Sequence, residues 1–240
     1  MRLRSATLGA GGLIGAGVVA HLGPATTSWR QARNRLLPAL AGVGRSGHVA
    51  LTFDDGPDPV STPAMLDALD GLGWKATFFF LGSQIRRSPM LAAEVTARGH
   101  EVGVHGDTHT SHLQRPWTWT TDDVTRGRDL VVAVTGTRPV WFRPPYGTLS
   151  SASLIAARRA GLRTVLWTTW GRDWRNESTA ANVASTVVET WHRGATVLLH
   201  DSDVTSAPGS WRATLGALPV LAKRWAAEGL QVGPLRDHGL

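Results

Sequence analysis

Two adjacent carboxylates, Asp54 and Asp55, end a short apolar run and are followed at once by Gly56-Pro57. The run His48-Val49-Ala50-Leu51-Thr52-Phe53 reads as a strand that a Gly-Pro pair cannot continue. A tight turn there sends the two carboxylates to different sides of one pocket, so one can hold a metal ion while its neighbour works as a base. An ordinary Asx-type turn between strand and helix would use the same residue types. Further along, His105 and His109 in Val104-His105-Gly106-Asp107-Thr108-His109 stand four apart. That spacing predicts a helical turn with both imidazoles on one face, able to grip one divalent ion. With Asp55 the donors would be two nitrogens and one oxygen. Three protein ligands leave a coordination position open, as in catalytic rather than structural zinc. His21, His48, His100, His192 and His238 are read as hydrogen-bonded structural residues, and His112 stays between the two readings.

Three further segments share the habit of ending an apolar run with polar groups: Arg143-Pro144-Pro145-Tyr146-Gly147, Asp173-Trp174, and Leu198-Leu199-His200-Asp201. In order and spacing the five motifs resemble those of the polysaccharide deacetylases, the NodB-homology domain of carbohydrate esterase family four, over residues 47–232. The resemblance implies Asp54 as general base, Asp55 with His105 and His109 as metal ligands, and His200 as general acid. Arg143 would brace the base, and Asp173 would orient the catalytic histidine. The Tyr146 backbone N–H would help bind the oxyanion, and Tyr146, Trp174 and Leu198 would line the substrate pocket. Two positions depart from the family pattern. Gly106 stands where Ser or Thr is usual, and Trp170 where a second Asp is frequent.

Amide hydrolysis needs a strong nucleophile, stabilisation of charge on the carbonyl oxygen and a proton for the departing amine. Water on zinc has a pKa near 7, and the metal also polarises the carbonyl. The chain has no Cys and no G-x-S-x-G elbow, so a covalent acyl-enzyme is not expected.

The formal charge of +7 is unevenly placed. No acidic residue precedes Asp54, whereas Arg2, Arg4, Arg30, Arg33, Arg35 and Arg45 do; removing those six from 25 basic residues leaves 19 against 18 acidic. The basicity therefore describes the front of the chain, and a nucleic-acid partner loses its main support. Arg2 and Arg4 precede a 17-residue stretch, 6–22, free of Asp, Glu, Lys and Arg but holding five glycines. Residues 1–46 are read as a basic leader carrying a signal or membrane-anchor segment, and 47–240 as the deacetylase domain. The expectation is export or anchoring on the outer side of the cytoplasmic membrane, with a leader separable from the chemistry.

Strand patterns at 48–53, 75–81, 101–104, 140–142, 163–167, 196–199 and 230–232 alternate with helical patterns at 61–72, 89–98, 121–135, 151–160, 179–191 and 211–228. Continuous apolar runs such as Ala76-Thr77-Phe78-Phe79-Phe80-Leu81 suit a parallel sheet buried on both faces. The class is α/β. Seven units with motif residues at strand C-terminal ends suggest a closed or nearly closed barrel, which the family's distorted (β/α)7 barrel would satisfy; a flat doubly wound sheet is the alternative. Of the 11 tryptophans, Trp141, Trp167, Trp191 and Trp225 are assigned to core packing, and Trp117, Trp119 and Trp170 could stack on sugar faces. The functional reading is a zinc-dependent hydrolase removing acetyl groups from an N-acetylated cell-wall or chitin-like glycan. An O-acetyl esterase using the same site and a non-catalytic glycan-binding homologue stand as alternatives.

Overall fold

The computed structural model describes His21 and residues 23–240; residues 1–20 and 22, and with them nearly all of the apolar stretch, lie outside the described residues. Among the described residues no helix is long and apolar enough to cross a membrane. The centre of the fold is β1 (His48–Asp54), buried along its whole length. It pairs in parallel with β2 (Thr77–Phe80) and β7 (Thr196–His200). β8 (Gln231–Gly233) pairs with the first residues of β1, below the stretch that pairs with β2. Beyond β2 follow β3 (Glu101–Val104), β4 (Trp141–Phe142) and β5 (Arg163–Thr164), and beyond β7 lies β6 (Thr169–Trp170). The sheet is all parallel and curls into a barrel that the ladder does not close.

Helices α3 (Ser61–Gly71), α5 (Pro89–Ala97), α6 (Trp117–Thr135), α7 (Ser151–Arg159), α8 (Ala180–Thr190) and α9 (Trp211–Ala227) pack outside, with the short α4 (Gly82–Arg87) after β2. α1 (Arg30–Leu36) and α2 (Pro38–Ala41) precede β1. Alternation along β2 shows why both faces must be apolar. Phe78 and Phe80 join the core beneath the helices, while Phe79 joins the inner cluster with Ala50, Trp141, Val165 and Leu235. Ser150 and Thr179 cap α7 and α8 by reciprocal capping boxes with Ser153 and Asn182.

The run predicted as one strand at 163–167 instead breaks. β5 stays on β4, and four residues later β6 lies on β7, so the chain itself bridges the two edges of the sheet. Two polar groups of the bridge find their partners in the N-terminal segment. Leu166 N–H donates to Leu40 O at 2.8 Å, and Arg33 Nη2 donates to Trp167 O at 2.5 Å. Thr196 Oγ1 donates to Gly42 O at 2.6 Å. α1 (Arg30–Leu36) and α2 (Pro38–Ala41) thus cover the open seam, with Arg33 and Ala41 buried. A boundary at residue 46 cuts through packed structure, because basic and apolar content marks a leader but cannot show which of its residues supply ladder bonds.

Three buried histidines serve the scaffold. His100 Nδ1 accepts the Ala76 N–H at 3.2 Å, and His48 and His238 meet through their Nδ1 atoms at 2.8 Å. Burial, then nearby cations, pushes His100 down to about 4, and burial, then His48, pushes His238 down to about 4. A lowered folded pKa means the unfolded chain binds more protons, so this contribution is complete above the unfolded pKa near 6.5 and is lost as pH falls toward 4, by about 3 kcal/mol for each residue. Asp201, raised to about 7 chiefly by burial, acts in the opposite direction. His100→Gln isolates the histidine contribution: its stability relative to wild type, from urea midpoints, should improve steadily from pH 7.5 to 4.5. A constant difference would mean that His100 carries no linked proton.

The seam predicts a second outcome. A chain starting at Arg45 loses the partners of Leu166 N–H and Thr196 Oγ1, each worth about 1–3 kcal/mol when left buried and unsatisfied. Its urea midpoint should drop clearly below that of a chain starting at Trp29, which should match the full chain. Equal midpoints would show that the segment only rests on the surface.

Candidate active site

At the C-terminal end of β1 the backbone turns left-handed at Asp55 (φ 79°), a conformation Asp tolerates better than most residues. The turn separates the two carboxylates. Asp54 faces Arg143, whose Nη1 donates to Asp54 Oδ1 at 2.7 Å and Thr52 Oγ1 at 2.8 Å, and whose Nη2 donates to Leu166 O at 2.9 Å. The guanidinium is fully buried, 4.1 Å from the Phe79 ring centroid. Burial raises the Asp54 pKa, and Arg143 followed by His200 opposes it.

Asp55 faces the two histidines: its Oδ1 lies 3.4 Å from His105 Nε2 and 3.4 Å from His109 Nε2. One donor atom from each of the three residues falls within 4.8 Å of the others. Burial lowers both histidines, His105 to about 3, so the imidazoles stay neutral as ligands must. His105 Nδ1 lies 2.7 Å from the Arg143 carbonyl, which can only accept; the proton is therefore on Nδ1 and the Nε2 lone pair faces Asp55. Asp55 Oδ2 accepts from the Thr205 hydroxyl, while its buried Oδ1 has no hydrogen-bond partner. An orphaned carboxylate oxygen between two imidazole lone pairs fits a divalent cation.

The helical turn expected for His105 and His109 is absent; they stand on an irregular loop after β3. Gly106 explains the break, with φ 99° and no room for a Cβ, which would meet Asp123 Oδ2 at 2.5 Å. Asp123, from α6, takes over the bracing. It accepts from Thr108 N at 3.0 Å and Thr108 Oγ1 at 2.9 Å, and it lies 3.1 Å from His112 Nε2. His112 is fully buried and stacked on Phe142, a support for the loop rather than a ligand.

His200 ends β7. Its Nδ1 lies 2.9 Å from Asp173 Oδ1, its backbone N–H donates to Asp173 Oδ2 at 2.7 Å, and Thr214 Oγ1 donates to that same oxygen at 2.7 Å. Burial opposes the charged imidazole, but Asp173, by charge and hydrogen bond, outweighs it and with the other acids raises His200 to about 10. His200 Nε2 is left to face the cleft, 3.9 Å from Asp55 Oδ2.

These groups meet in one cleft of about 290 Å³, lined also by Tyr146, Trp167, Trp170, Trp174, Leu198, Thr205 and Ser206. All ten site residues expected from the sequence are there, Arg143 and Asp173 standing behind Asp54 and His200 rather than on the wall. Tyr146 is exposed and left-handed (φ 60°), its ring 4.3 Å from that of His109. Trp167, assigned to core packing, is buried in a cluster with Leu149, Leu166 and Leu198 and also forms a wall of the cleft, which Trp170 lines too. Trp117 and Trp119 do not; they open α6, beneath Arg159 and Arg115. Thr205, Asp123 and Thr214 escaped the sequence reading, since a lone hydroxyl or helical Asp carries no spacing signal.

Residues 41–165 match the polysaccharide deacetylase family. A peptidoglycan-N-acetylglucosamine deacetylase of Bacillus cereus is 37% identical over 64% of this chain and 72% of its own. A chitooligosaccharide deacetylase of Bradyrhizobium is 34% identical over 80% of this chain and 91% of its own. Among solved structures, a peptidoglycan N-acetylglucosamine deacetylase bound to 4-naphthalen-1-yl-N-oxidanyl-benzamide superposes with a TM-score of 0.77 at 26% identity, covering 83% of this chain and 92% of that one. A family-four pseudoenzyme from Bacillus anthracis has the same fold, with a TM-score of 0.73 at 24% identity over 80% of this chain and 65% of that one. The fold is therefore shared by active and inactive relatives, and what separates them must be sought in the site. By the extent of the match and the identity to these relatives, the chain belongs to the polysaccharide deacetylase family.

Proposed function

We propose that the chain is a metal-dependent hydrolase that removes acetyl groups from N-acetylated amino sugars of a wall polysaccharide or its oligomers. The observation that carries this reading is the meeting, in one cleft, of a carboxylate–arginine pair, an Asp-His-His donor set and an aspartate-held histidine. Asp55, His105 and His109 would hold the metal, zinc by its nitrogen and oxygen donors. When bound, such an ion acidifies water and polarises the acetyl carbonyl.

Asp54 takes the proton of the attacking water. Burial raises its pKa, which makes it a better base, and the Arg143 guanidinium opposes that rise. His200, held as imidazolium by Asp173, gives a proton to the departing amine from Nε2. Tyr146 offers its N–H to the developing oxyanion, and Trp174 and Leu198 flank the acetyl methyl. A non-catalytic role is disfavoured, because sugar binding has no use for a histidine whose charge is maintained by a buried Asp. An O-acetyl esterase would use the same groups and is separated by substrate. The uncharged stretch behind Arg2 and Arg4, and a substrate outside the cytoplasmic membrane, support export or anchoring there.

Acetate release from N-acetylglucosamine oligomers and from peptidoglycan should vanish on chelation and return with zinc. The His105→Ala, His109→Ala double variant should bind less than a tenth of an equivalent by metal analysis; one full equivalent would place the metal elsewhere.

His200→Ala separates acid catalysis from other roles. General acid groups contribute about 10²–10⁴-fold, and an amine leaving group needs the proton whereas an aryloxide scarcely does. The loss should thus be large on an N-acetyl sugar and small on an aryl acetate. Equal losses would make His200 an oxyanion or structural group.

A further inference from the structure

Trp170 lines two places at once. One face of its surroundings is the catalytic cleft; the other is an adjoining open groove made by Trp29, Arg30, Gln31, Ala32 and Arg172. The Arg30 guanidinium lies 5.0 Å from the Trp170 ring centroid and that of Arg172 lies 5.2 Å from it. Among the described residues neither arginine has a carboxylate within salt-bridge distance, and Arg30 Nη1 is buried without a hydrogen-bond partner.

Two like charges gathered around one indole repel each other. Burial, and then the charge of Arg172, depresses the Arg30 pKa. Arg172 is also held in the left-handed region, at φ 53°, where glycine is favoured. It stands between Gly171, packed against Leu199 and Val183, and Asp173, fixed to His200. Its position is thereby set by the catalytic scaffold.

We infer that this groove is an anionic subsite, taking a carboxylate carried by a sugar next to the one being deacetylated. Guanidinium groups match a carboxylate in geometry as well as charge, and a bound carboxylate would neutralise the pair. The groove and the cleft are continuous through aromatic rings: Trp170 lies 5.4 Å from Trp174, and Trp174 5.6 Å from His200. Trp29, 78% exposed, adds an indole at the far side on which a sugar ring can stack. A neutral glycan would leave both charges unused; a glycan bearing an ether-linked lactate would not.

The inference rests on the deacetylase reading, and the test separates the two. The substrate is an acetylated oligosaccharide of alternating N-acetylglucosamine and N-acetylmuramic acid; its comparator is the same oligosaccharide with the carboxylate converted to carboxamide. Wild type should favour the carboxylate form about tenfold in kcat/KM at low salt, and the preference should shrink as added salt screens the contact. In the Arg30→Gln, Arg172→Gln double variant the ratio should approach one. No preference in wild type, or a preference kept in full by the folded double variant, would overturn the subsite. If the metal-loaded enzyme released no acetate from any glycan, the deacetylase reading would fail instead, and calorimetric binding of the two forms to wild type would decide the subsite by the same ratio.

Discussion

The buried pair of Arg143 and Asp54 is the constraint on which the rest of the fold depends. A fully buried guanidinium is tolerable only when its charge and donors are met, and removing one partner of such a pair typically costs about 3–5 kcal/mol. Here one side chain satisfies the tip of β1 through Asp54 and Thr52, and the chain bridging β5 and β6 through Leu166, while its face lies on Phe79 of β2. The Arg143 carbonyl also fixes the tautomer of His105. A single residue thus ties together three parts of the barrel and two parts of the site, and the interior of the barrel cannot be repacked without moving Asp54.

A second constraint is charge. Arg143 and His200, the latter raised to about 10, are the cationic groups set against the carboxyl groups of Asp54, Asp55 and Asp173. Of their oxygens, the buried Asp55 Oδ1 has no hydrogen-bond partner. A buried carboxylate oxygen without a partner is costly, and a divalent ion held there would relieve it. Thr205 completes the arrangement by occupying the other oxygen.

Much of this was legible in the chain because strand ends and apolar runs are local signals. The run ending at Asp54 and that ending at His200 were read to within a residue, since their burial on both faces leaves no polar alternation to mislead. The histidine spacing pointed to the right partners for a wrong local reason. Gly106 and Asp123, not a helical turn, bring His105 and His109 together, and Asp123 lies on a different element whose contact no spacing reveals. The strand expected at 163–167 failed differently. Its residues are apolar enough, but Leu166 and Trp167 face a gap in the ladder, and the partners of the Leu166 N–H and the Trp167 carbonyl come from more than a hundred residues away.

The N-terminal segment is where composition and structure part most sharply. Arginines before the first acidic residue resemble the flank of a targeting signal, and charge counting treats Arg2 and Arg33 alike. Arg33 is nevertheless buried, donating to Trp167 O, and burial followed by its arginine neighbours brings its pKa down to about 10. The distinction is made by the Leu166 N–H and the Trp167 carbonyl, which lack strand partners and must be satisfied from somewhere. Once α1 and α2 supply those bonds, the side chains they carry are fixed beside the cleft, with Arg30 against Trp170. The seam that the sheet leaves open therefore fixes which part of a basic leader is domain, and it brings that part to the wall of the active site.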